Sequence, residues 1–267
     1  VAAALSLALL ATPAHAAEES HKVRVEDVAS AETRAALKAV ERGDVRLAEE
    51  LFRKVTEAEP GSASAFSNLA MAEMSRGSLD KAIEHYTTAI ELAPEAPVPR
   101  LNRAIAYEQK AVEVGVDGVS FRALLERGER DCRDAVALAP RDDGQARYNL
   151  GNILAREERW EDALKEYSRA ADLSVGIPGY RLREAAFAFQ CGEVERSERL
   201  LKGLVRKYGG FSEARAALTA VLWSSGERSR AEDAWAEACA REGRLSSAKT
   251  VEALLEFERG EWGRWPP

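Results

Sequence analysis

The sequence predicts an all-α protein in which helix-turn-helix pairs stack side by side to form a solenoid. Three observations lead to this fold class. A 34-residue unit recurs along the chain, alanine or another small residue returns at fixed positions within it, and glycine and proline mark the points where helices turn and stop. One helical pair cannot bury its apolar face alone, so neighbouring pairs must stack for the unit to be stable.

The clearest unit runs from Ala63 to Ala96. If Ala63 is counted as position 1, the large residues Phe66, Leu69 and Tyr86 stand at positions 4, 7 and 24. Small residues stand at positions 8, 20 and 27, namely Ala70, Ala82 and Ala89. Helices approach to roughly 8–10 Å most readily where small side chains lie at the crossing. The alanines are therefore predicted at helix crossings, with the large residues packed between the helices.

Glycine and proline mark the helix ends in this unit. Gly77 is predicted to end the first helix in a left-handed conformation, and Ser78 to cap the second helix. Pro94 is predicted to stop the second helix, and Leu92, just before it, to pack between helices.

This pattern resembles the tetratricopeptide repeat family, which has a 34-residue period with large and small residues at these spacings. The resemblance implies a right-handed superhelix of about six repeats with a C-terminal capping helix. The predicted repeats cover residues 29–62, 63–96, 97–143, 144–177, 178–211 and 212–245, followed by a capping helix and tail at 246–267. The Pro-Pro end at Pro267 indicates that the natural chain continues.

The third predicted repeat is longer than the others. Pro140 lies 46 residues after Pro94, so about a dozen residues are inserted between positions 108 and 120. The glycines and valines of VEVGVDGVSF predict a longer first helix and a loop, with the second helix running from about Ser120 to Ala139. The insertion is either a tolerated surface loop or a loop that binds a partner.

The first 16 residues form an uncharged apolar run that ends in Ala14-His15-Ala16. Small residues in this arrangement are typical of a signal-peptidase site, so residues 1–16 are predicted to be a cleaved export signal and residues 17–28 a polar linker. A membrane anchor is the alternative, but the run is shorter than the roughly 20 apolar residues that span a bilayer. No membrane span is predicted in the mature chain. The start at Val1 indicates a missing N-terminus.

Composition argues against several functions. The net charge of −7 and the pI near 5.3 disfavour nucleic acid as a partner. The three cysteines lie in separate repeats without a C-x-x-C motif and are predicted to be small buried residues. No spacing typical of a metal site, phosphate loop or nucleophile–base pair is found, so no cofactor and no enzymatic activity are predicted.

Three blocks resemble a narrower group, the tetratricopeptide-repeat proteins of the chloroplast thylakoid lumen and their cyanobacterial relatives. The blocks are ARYNLGNILAREERWEDALKEYSRAADL, LLKGLVRKYGGFSEARAALTAVLWSSGERSRAEDAW and the closing RWPP. The sequence departs from that group at Gly209, where a proline is usual. This resemblance implies the thylakoid lumen as the compartment, and a bacterial periplasm is the alternative.

Stacked pairs of this kind place their first helices on the concave wall, where an extended peptide or protein segment binds. The predicted groove residues are Asn68, Met71, Asn102, Tyr148, Asn149, Asn152, Arg183 and Phe189. Asparagine both donates and accepts hydrogen bonds, so asparagines on successive repeats could hold a peptide backbone. Alternatively, they only brace neighbouring repeats. At the level of the whole protein, the alternative to a peptide-binding scaffold is a stable structural subunit of a photosynthetic or envelope complex.

Overall fold

The computed structural model describes residues 30–115, 119–138 and 144–242. These residues form twelve α-helices and no strand. The predicted all-α repeat fold is therefore confirmed for the described part of the chain. The predicted export signal, the linker and the capping helix lie outside the described residues. By their contacts, the helices divide into two compact units, an N-terminal unit up to Glu158 and a C-terminal unit from Arg159.

The N-terminal unit contains seven helices among its described residues. They are α1 (Ala31–Glu41), α2 (Val45–Ala58), α3 (Ala63–Ser75), α4 (Leu79–Leu92), α5 (Pro97–Val114), α6 (Val119–Leu138) and α7 (Gln145–Arg156). Each helix packs against its neighbours in the chain, and the first helices α3, α5 and α7 also contact one another in succession. This arrangement places the first helices of consecutive repeats side by side.

The C-terminal unit contains five helices among its described residues. They are α8 (Trp160–Leu173), α9 (Pro178–Gln190), α10 (Val194–Lys207), α11 (Ser212–Ser224) and α12 (Arg228–Glu242). Its core includes Leu182, Leu201, Leu204 and Leu222 from three of these helices. Tyr167 and Phe187 add an aromatic pair with ring centroids 4.8 Å apart.

The predicted crossing residues are fully buried. Ala70, Ala82 and Ala89 are each 0 % exposed, and Tyr86 beside them is also 0 % exposed. The prediction for Leu92 is wrong, because this side chain is 41 % exposed at the last residue of α4. At the end of a helix, no neighbouring helix need cover the side chain, so a residue there can follow the apolar pattern and still be exposed to water.

The tight turns between paired helices share one backbone geometry. Gly77 has a φ of +76°, and the amide of Ser78 donates to the carbonyl of Glu73 at 2.9 Å. Such left-handed residues satisfy the last carbonyls of a helix and favour glycine, as predicted. Ser78 occupies the N-cap position of α4 but makes no capping hydrogen bond through its side chain. In the preceding turn, Asp44 does accept from the amide of Leu47.

Glu158 is the exception to the glycine rule. It stands at position 15 of its repeat, where Gly43, Gly77, Gly192 and Gly226 stand in theirs. Its φ is 59°, and no other non-glycine residue of the described chain has a positive φ. A residue with a Cβ atom is strained in this conformation by roughly 1–2 kcal/mol.

The long hairpin of α5 and α6 accounts for the insertion in the third repeat. Helix α5 has 18 residues and α6 has 20, whereas the other described helices have between 11 and 15. The inserted residues therefore mainly lengthen the two helices, and α6 begins within a residue of the predicted start. Residues 116–118, between the helices, lie outside the described chain.

Two features hold this hairpin against its neighbours. Arg103 on α5 forms a two-pronged ion pair with Asp131 on α6, at 2.7 and 2.8 Å, and also donates to the hydroxyl of Thr87 on α4 at 2.9 Å. Gly128 on α6 permits close approach, because a Cβ atom there would lie 3.0 Å from Ile153 Cδ1 and 3.3 Å from the Ala104 carbonyl oxygen. A side chain of α7 and the backbone of α5 therefore both lie close to Gly128.

The close approach at Gly128 predicts a stability difference between two alanine substitutions. In an open helical site, Gly→Ala stabilises by about 1 kcal/mol through helix propensity. Gly203→Ala on α10 should gain this amount, because its Cβ would meet no atom within 4 Å. Gly128→Ala should gain nothing or lose stability, since crowding cancels the propensity gain. Urea denaturation of both variants tests this, and equal stabilisation at the two sites would contradict the packing described.

The strained turn predicts a stabilising substitution. Glu158→Gly should raise the free energy of unfolding by about 1 kcal/mol, because glycine adopts positive φ without steric cost. The matched control is Glu157→Gly, one residue earlier, where φ is −84°. That variant should lower stability, since glycine there only adds entropy to the unfolded chain. Thermal melts of the two variants should shift in opposite directions; shifts of the same sign would count against strain at Glu158.

Candidate binding surface of the first helices

The predicted groove residues all lie on first helices. Six of them belong to the N-terminal unit and are called here the N-terminal site: Asn68 and Met71 on α3, Asn102 on α5, and Tyr148, Asn149 and Asn152 on α7. The other two, Arg183 and Phe189, lie on α9 of the C-terminal unit. Because α3, α5 and α7 contact in succession, the structure places the residues of the N-terminal site on three adjacent helices.

The asparagines of the N-terminal site occupy matching positions. Asn68, Asn102 and Asn149 are each the sixth residue of their predicted repeats. Asn68 and Asn102 are partly exposed, as is Asn152 one turn further along α7. Asn149 is 9 % exposed, so only a small part of its side chain reaches the surface. One asparagine per repeat thus stands on each of three neighbouring helices.

The apolar members of the site are largely covered. Met71 is 7 % exposed and Tyr148 is 9 % exposed. In the C-terminal unit, Arg183 is 6 % exposed, and Phe189 is half-buried against the core of that unit. These side chains contribute to packing first, and only their exposed edges are open to a ligand.

Two asparagines also make contacts inside the N-terminal unit. Asn149 donates through Nδ2 to the carbonyl oxygen of Gln145 at 3.1 Å. Burial raises the pKa of the Tyr86 phenol on α4, and the Asn102 side chain opposes this rise, although the hydroxyl makes no hydrogen bond within the described chain. These contacts are of the bracing kind that was considered as the alternative to ligand binding.

A buried polar contact joins α3 and α4. Glu73 on α3 is 1 % exposed, and its Oε2 is 2.6 Å from His85 Nδ1 on α4. Its other oxygen, Oε1, is buried without a hydrogen-bond partner in the described chain. Burial raises the pKa of Tyr86 and the charge of Glu73 adds to this rise, whereas the Asn102 side chain opposes it. Glu73, Tyr86 and Asn102 are therefore close enough to interact.

Sequence reasoning missed this cluster, although a signal was present. Glu73 is the eleventh residue of its repeat, a position where the family pattern has tyrosine. A carboxylate at a position that packs between helices must find partners, because burying an unpaired charge is costly. The departure from the pattern therefore marked a polar contact inside the repeat.

An ion pair links the first helices beside the asparagines. Arg156 Nε on α7 is 2.5 Å from Glu108 Oε1 on α5, and both side chains are mostly buried. The two charges neutralise each other. The predicted groove positions of these helices carry Ser67, Met71, Asn102, Gln145 and Asn149, and none of these residues is a lysine.

The two described cysteine side chains, Cys132 and Cys191, show no sign of reactivity. Cys132 on α6 is 0 % exposed, and burial raises the pKa of its thiol well above the ordinary value. Burial also raises the pKa of Cys191 to about 11. Both thiols are therefore protonated near neutral pH and are poor nucleophiles. The side chain of Cys239 lies outside the description.

Within the described part of the chain, no group of three or more histidine, cysteine, aspartate or glutamate side chains is arranged to hold a metal ion. No described helix is both long enough and apolar enough to span a bilayer.

The paired helices, the turns at position 15 and the small residues at the crossings define a helical-repeat protein. Residues 33–97 and 120–174 match the family model described as tetratricopeptide repeat. The tetratricopeptide-repeat pattern predicted from the sequence is thus confirmed over these residues.

Known proteins resemble the chain mainly at the level of the fold. The E3 ubiquitin-protein ligase CHIP of Arabidopsis thaliana is 33% identical over 105 residues, which are 39% of this chain and 33% of that protein. The chain thus matches about a third of the length of this relative.

Two solved structures share the fold at low sequence identity. PilW, a widely conserved type IV pilus biogenesis factor, has a TM-score of 0.68 at 15% identity, over 85% of this chain and 99% of that one. YrrB, a tetratricopeptide-repeat protein with an unusual peptide-binding site, has a TM-score of 0.57 at 18% identity, over 76% and 97% of the two chains.

Proposed function

We propose that the N-terminal site binds an extended segment of another protein and that the chain acts as a non-enzymatic scaffold. The observation that carries this proposal is the asparagine at position 6 on each of the adjacent helices α3, α5 and α7. Amide side chains at a regular spacing can hydrogen-bond to the backbone of an extended peptide whatever its sequence. The exposed edges of Met71 and Tyr148 offer apolar contacts beside them.

The fold and the chemistry of the described residues support a scaffold. Tetratricopeptide repeats generally serve as protein-interaction surfaces, and YrrB carries a peptide-binding site on this fold. The thiols of Cys132 and Cys191 are protonated near neutral pH, and the buried carboxylates Glu49 and Asp131 form ion pairs with arginines. These groups are therefore poorly suited to act as nucleophiles or general bases.

A stable structural subunit remains the second candidate. The near-complete burial of Met71, Tyr148, Asn149 and Arg183 favours it, because such side chains support packing more readily than ligand contact. A subunit should co-purify with its partners in fixed stoichiometry, whereas an adaptor should capture them transiently.

The proposed compartment is the thylakoid lumen, where the protein would assist the assembly or maintenance of a protein complex. Two sequence features support it: the apolar run ending at Ala14-His15-Ala16, and the three blocks that resemble lumenal tetratricopeptide-repeat proteins. A bacterial periplasm is the alternative, since it would require a similar signal.

The binding proposal predicts the effect of removing two asparagines. The double variant Asn102→Ala with Asn149→Ala should reduce capture of partners from lumenal extract about tenfold, since each lost hydrogen bond contributes roughly 1 kcal/mol or less. The control is Glu50→Ala with Lys54→Ala, an exposed pair on the second helix α2. Capture and urea denaturation are measured for both double variants.

The same experiment separates ligand contact from bracing. If the asparagines are ligand contacts, capture falls, whatever the loss of the Asn149–Gln145 hydrogen bond does to stability. If they only brace the repeats, stability falls by roughly 1 kcal/mol per lost hydrogen bond and capture is unchanged, which would contradict the proposed site.

The compartment predicts processing at the signal. A fluorescent fusion of the chain, with the N-terminal residues needed for import restored, should enter the lumen and lose residues 1–16. Ala14→Leu with Ala16→Leu should block cleavage, because the peptidase requires small residues there. Mass spectrometry of the mature N-terminus checks both forms. A cytosolic signal, or a mature protein that retains Val1, would contradict the proposal.

A further inference from the structure

Helix α10 carries an exposed row of basic side chains, although the protein as a whole is acidic. The net charge of the chain is −7, yet α10 holds five basic residues and two acidic ones. Arg199, Lys202 and Arg206 are exposed and follow one another at intervals of three and four residues, so they share one face of the helix. Lys202 pairs with Glu198 at 2.5 Å, whereas Arg199 and Arg206 form no ion pair within the described chain. The row therefore carries positive charge that these neighbours do not neutralise.

Helix stability explains only the end of this row. Cations in the last turn of a helix interact favourably with the helix dipole, and Arg206 and Lys207 lie in that turn of α10. The effect falls off beyond the last turn, and Arg199 and Lys202 lie further from the C-terminus. The start of the row therefore has no such explanation.

Gly203 lies in the middle of the row and leaves the helix surface open there. Glycine inside a helix is less stable than alanine, so its presence calls for a reason. Gly128 on α6 has one, because a Cβ atom there would crowd its neighbours. At Gly203 a Cβ atom would meet no atom within 4 Å. This glycine thus serves no packing contact, and it leaves a hollow bordered by Arg199 and Arg206.

An open groove with an apolar floor adjoins the row. It has a volume of about 600 Å³ and lies between α10, α11 and α12 of the C-terminal unit. Leu218 and Leu222 of α11, which belong to the core of this unit, form its floor. Lys202 and Arg206 border both this groove and the hollow over Gly203. Cationic groups and an apolar surface are therefore available side by side.

We propose that this surface, called here the α10 site, binds an acidic segment of another protein. Carboxylates of the segment pair with Arg199, Lys202 and Arg206, and its backbone passes over Gly203. An apolar side chain of the segment enters the groove above α11. This inference goes beyond the proposed function, because the α10 site lies on a second helix, whereas the N-terminal site lies on first helices.

The charges around the α10 site favour a peptide over a nucleic acid. Glu195 borders the hollow and Asp233 borders the groove. These carboxylates would repel a continuous phosphate backbone, whereas a peptide carries its negative charges at separate points and also supplies an apolar side chain. The net charge of −7 repels a long polyanion more strongly than a short acidic segment.

The first test fills the hollow without removing a charge. Gly203→Gln places a side chain over the open position, and it should not impair folding, because glutamine favours a helix more than glycine does. The probe is a fluorescently labelled decapeptide of glutamate and alanine with one central leucine and both ends blocked. It should bind the full chain in an anisotropy titration, and Gly203→Gln should weaken it about tenfold.

The second test removes the cations. Arg199→Ala with Arg206→Ala should also weaken the probe about tenfold, and added salt should weaken its binding to the unmodified protein, because exposed charges are screened. The matched control is Arg127→Ala with Arg130→Ala, which removes the same charge from exposed positions on α6. The control should leave binding unchanged.

Several results would overturn the α10 site. They are failure of the acidic peptide to bind, full binding by Gly203→Gln, and equal weakening by the α6 control. Tighter binding of a ten-nucleotide deoxythymidine strand, or of the matching lysine peptide, would overturn the choice of partner. So would a dimer in sedimentation velocity that Gly203→Gln converts to a monomer, since a second copy would then occupy the site. None of these results bears on the N-terminal site, which the asparagine variants test separately.

Discussion

The fold depends on one steric constraint, the close crossing of helices at small side chains. Ala70, Ala82 and Ala89 in one repeat have buried counterparts in later ones, and all are closed to solvent. Their counterparts at the same positions include Ala104, Ala163 and Ala170. Helices can approach this closely only if nothing larger than a methyl group stands between them. Large side chains such as Tyr86 and Tyr167 then fill the spaces beside each crossing, which places every helix at a set distance from the next.

Within this apolar frame, buried carboxylates are paired with arginines from outside their own helix. Glu49 binds Arg76, Asp131 binds Arg103, and Glu184 accepts a hydrogen bond from Arg196 as well as one from Arg181 on its own helix. Breaking such a pair leaves a buried charge without compensation, so these contacts fix the register between helices more than they add net stability. Glu73 is different, because one of its oxygens contacts His85 and the other has no hydrogen-bond partner in the described chain.

The repeat pattern was sufficient to predict the helices, the turn at Gly77 and the burial of the small residues, because these depend on local geometry that repeats. Leu92 and Ser78 show where the pattern fails, since exposure at a helix end and the rotamer of a cap depend on neighbours that periodicity does not describe. The candidate site was predicted only as a set of positions. The contact of Asn149 with the Gln145 carbonyl could not be predicted from the repeat spacing, because it depends on the side-chain rotamer.

Within each unit, helices pack against their chain neighbours or the next helix but one. Contacts of short sequence separation need little loop closure before they form, which favours rapid folding that can start in more than one place. The same feature allows the structure to open from an end without disturbing its middle, so resistance to hydrogen exchange should be graded along each unit. The α5–α6 hairpin, with the longest helices and an internal arginine–aspartate pair, is suited to be the most slowly exchanging part. A segment bound across α3, α5 and α7 would therefore also slow the local unfolding of these helices.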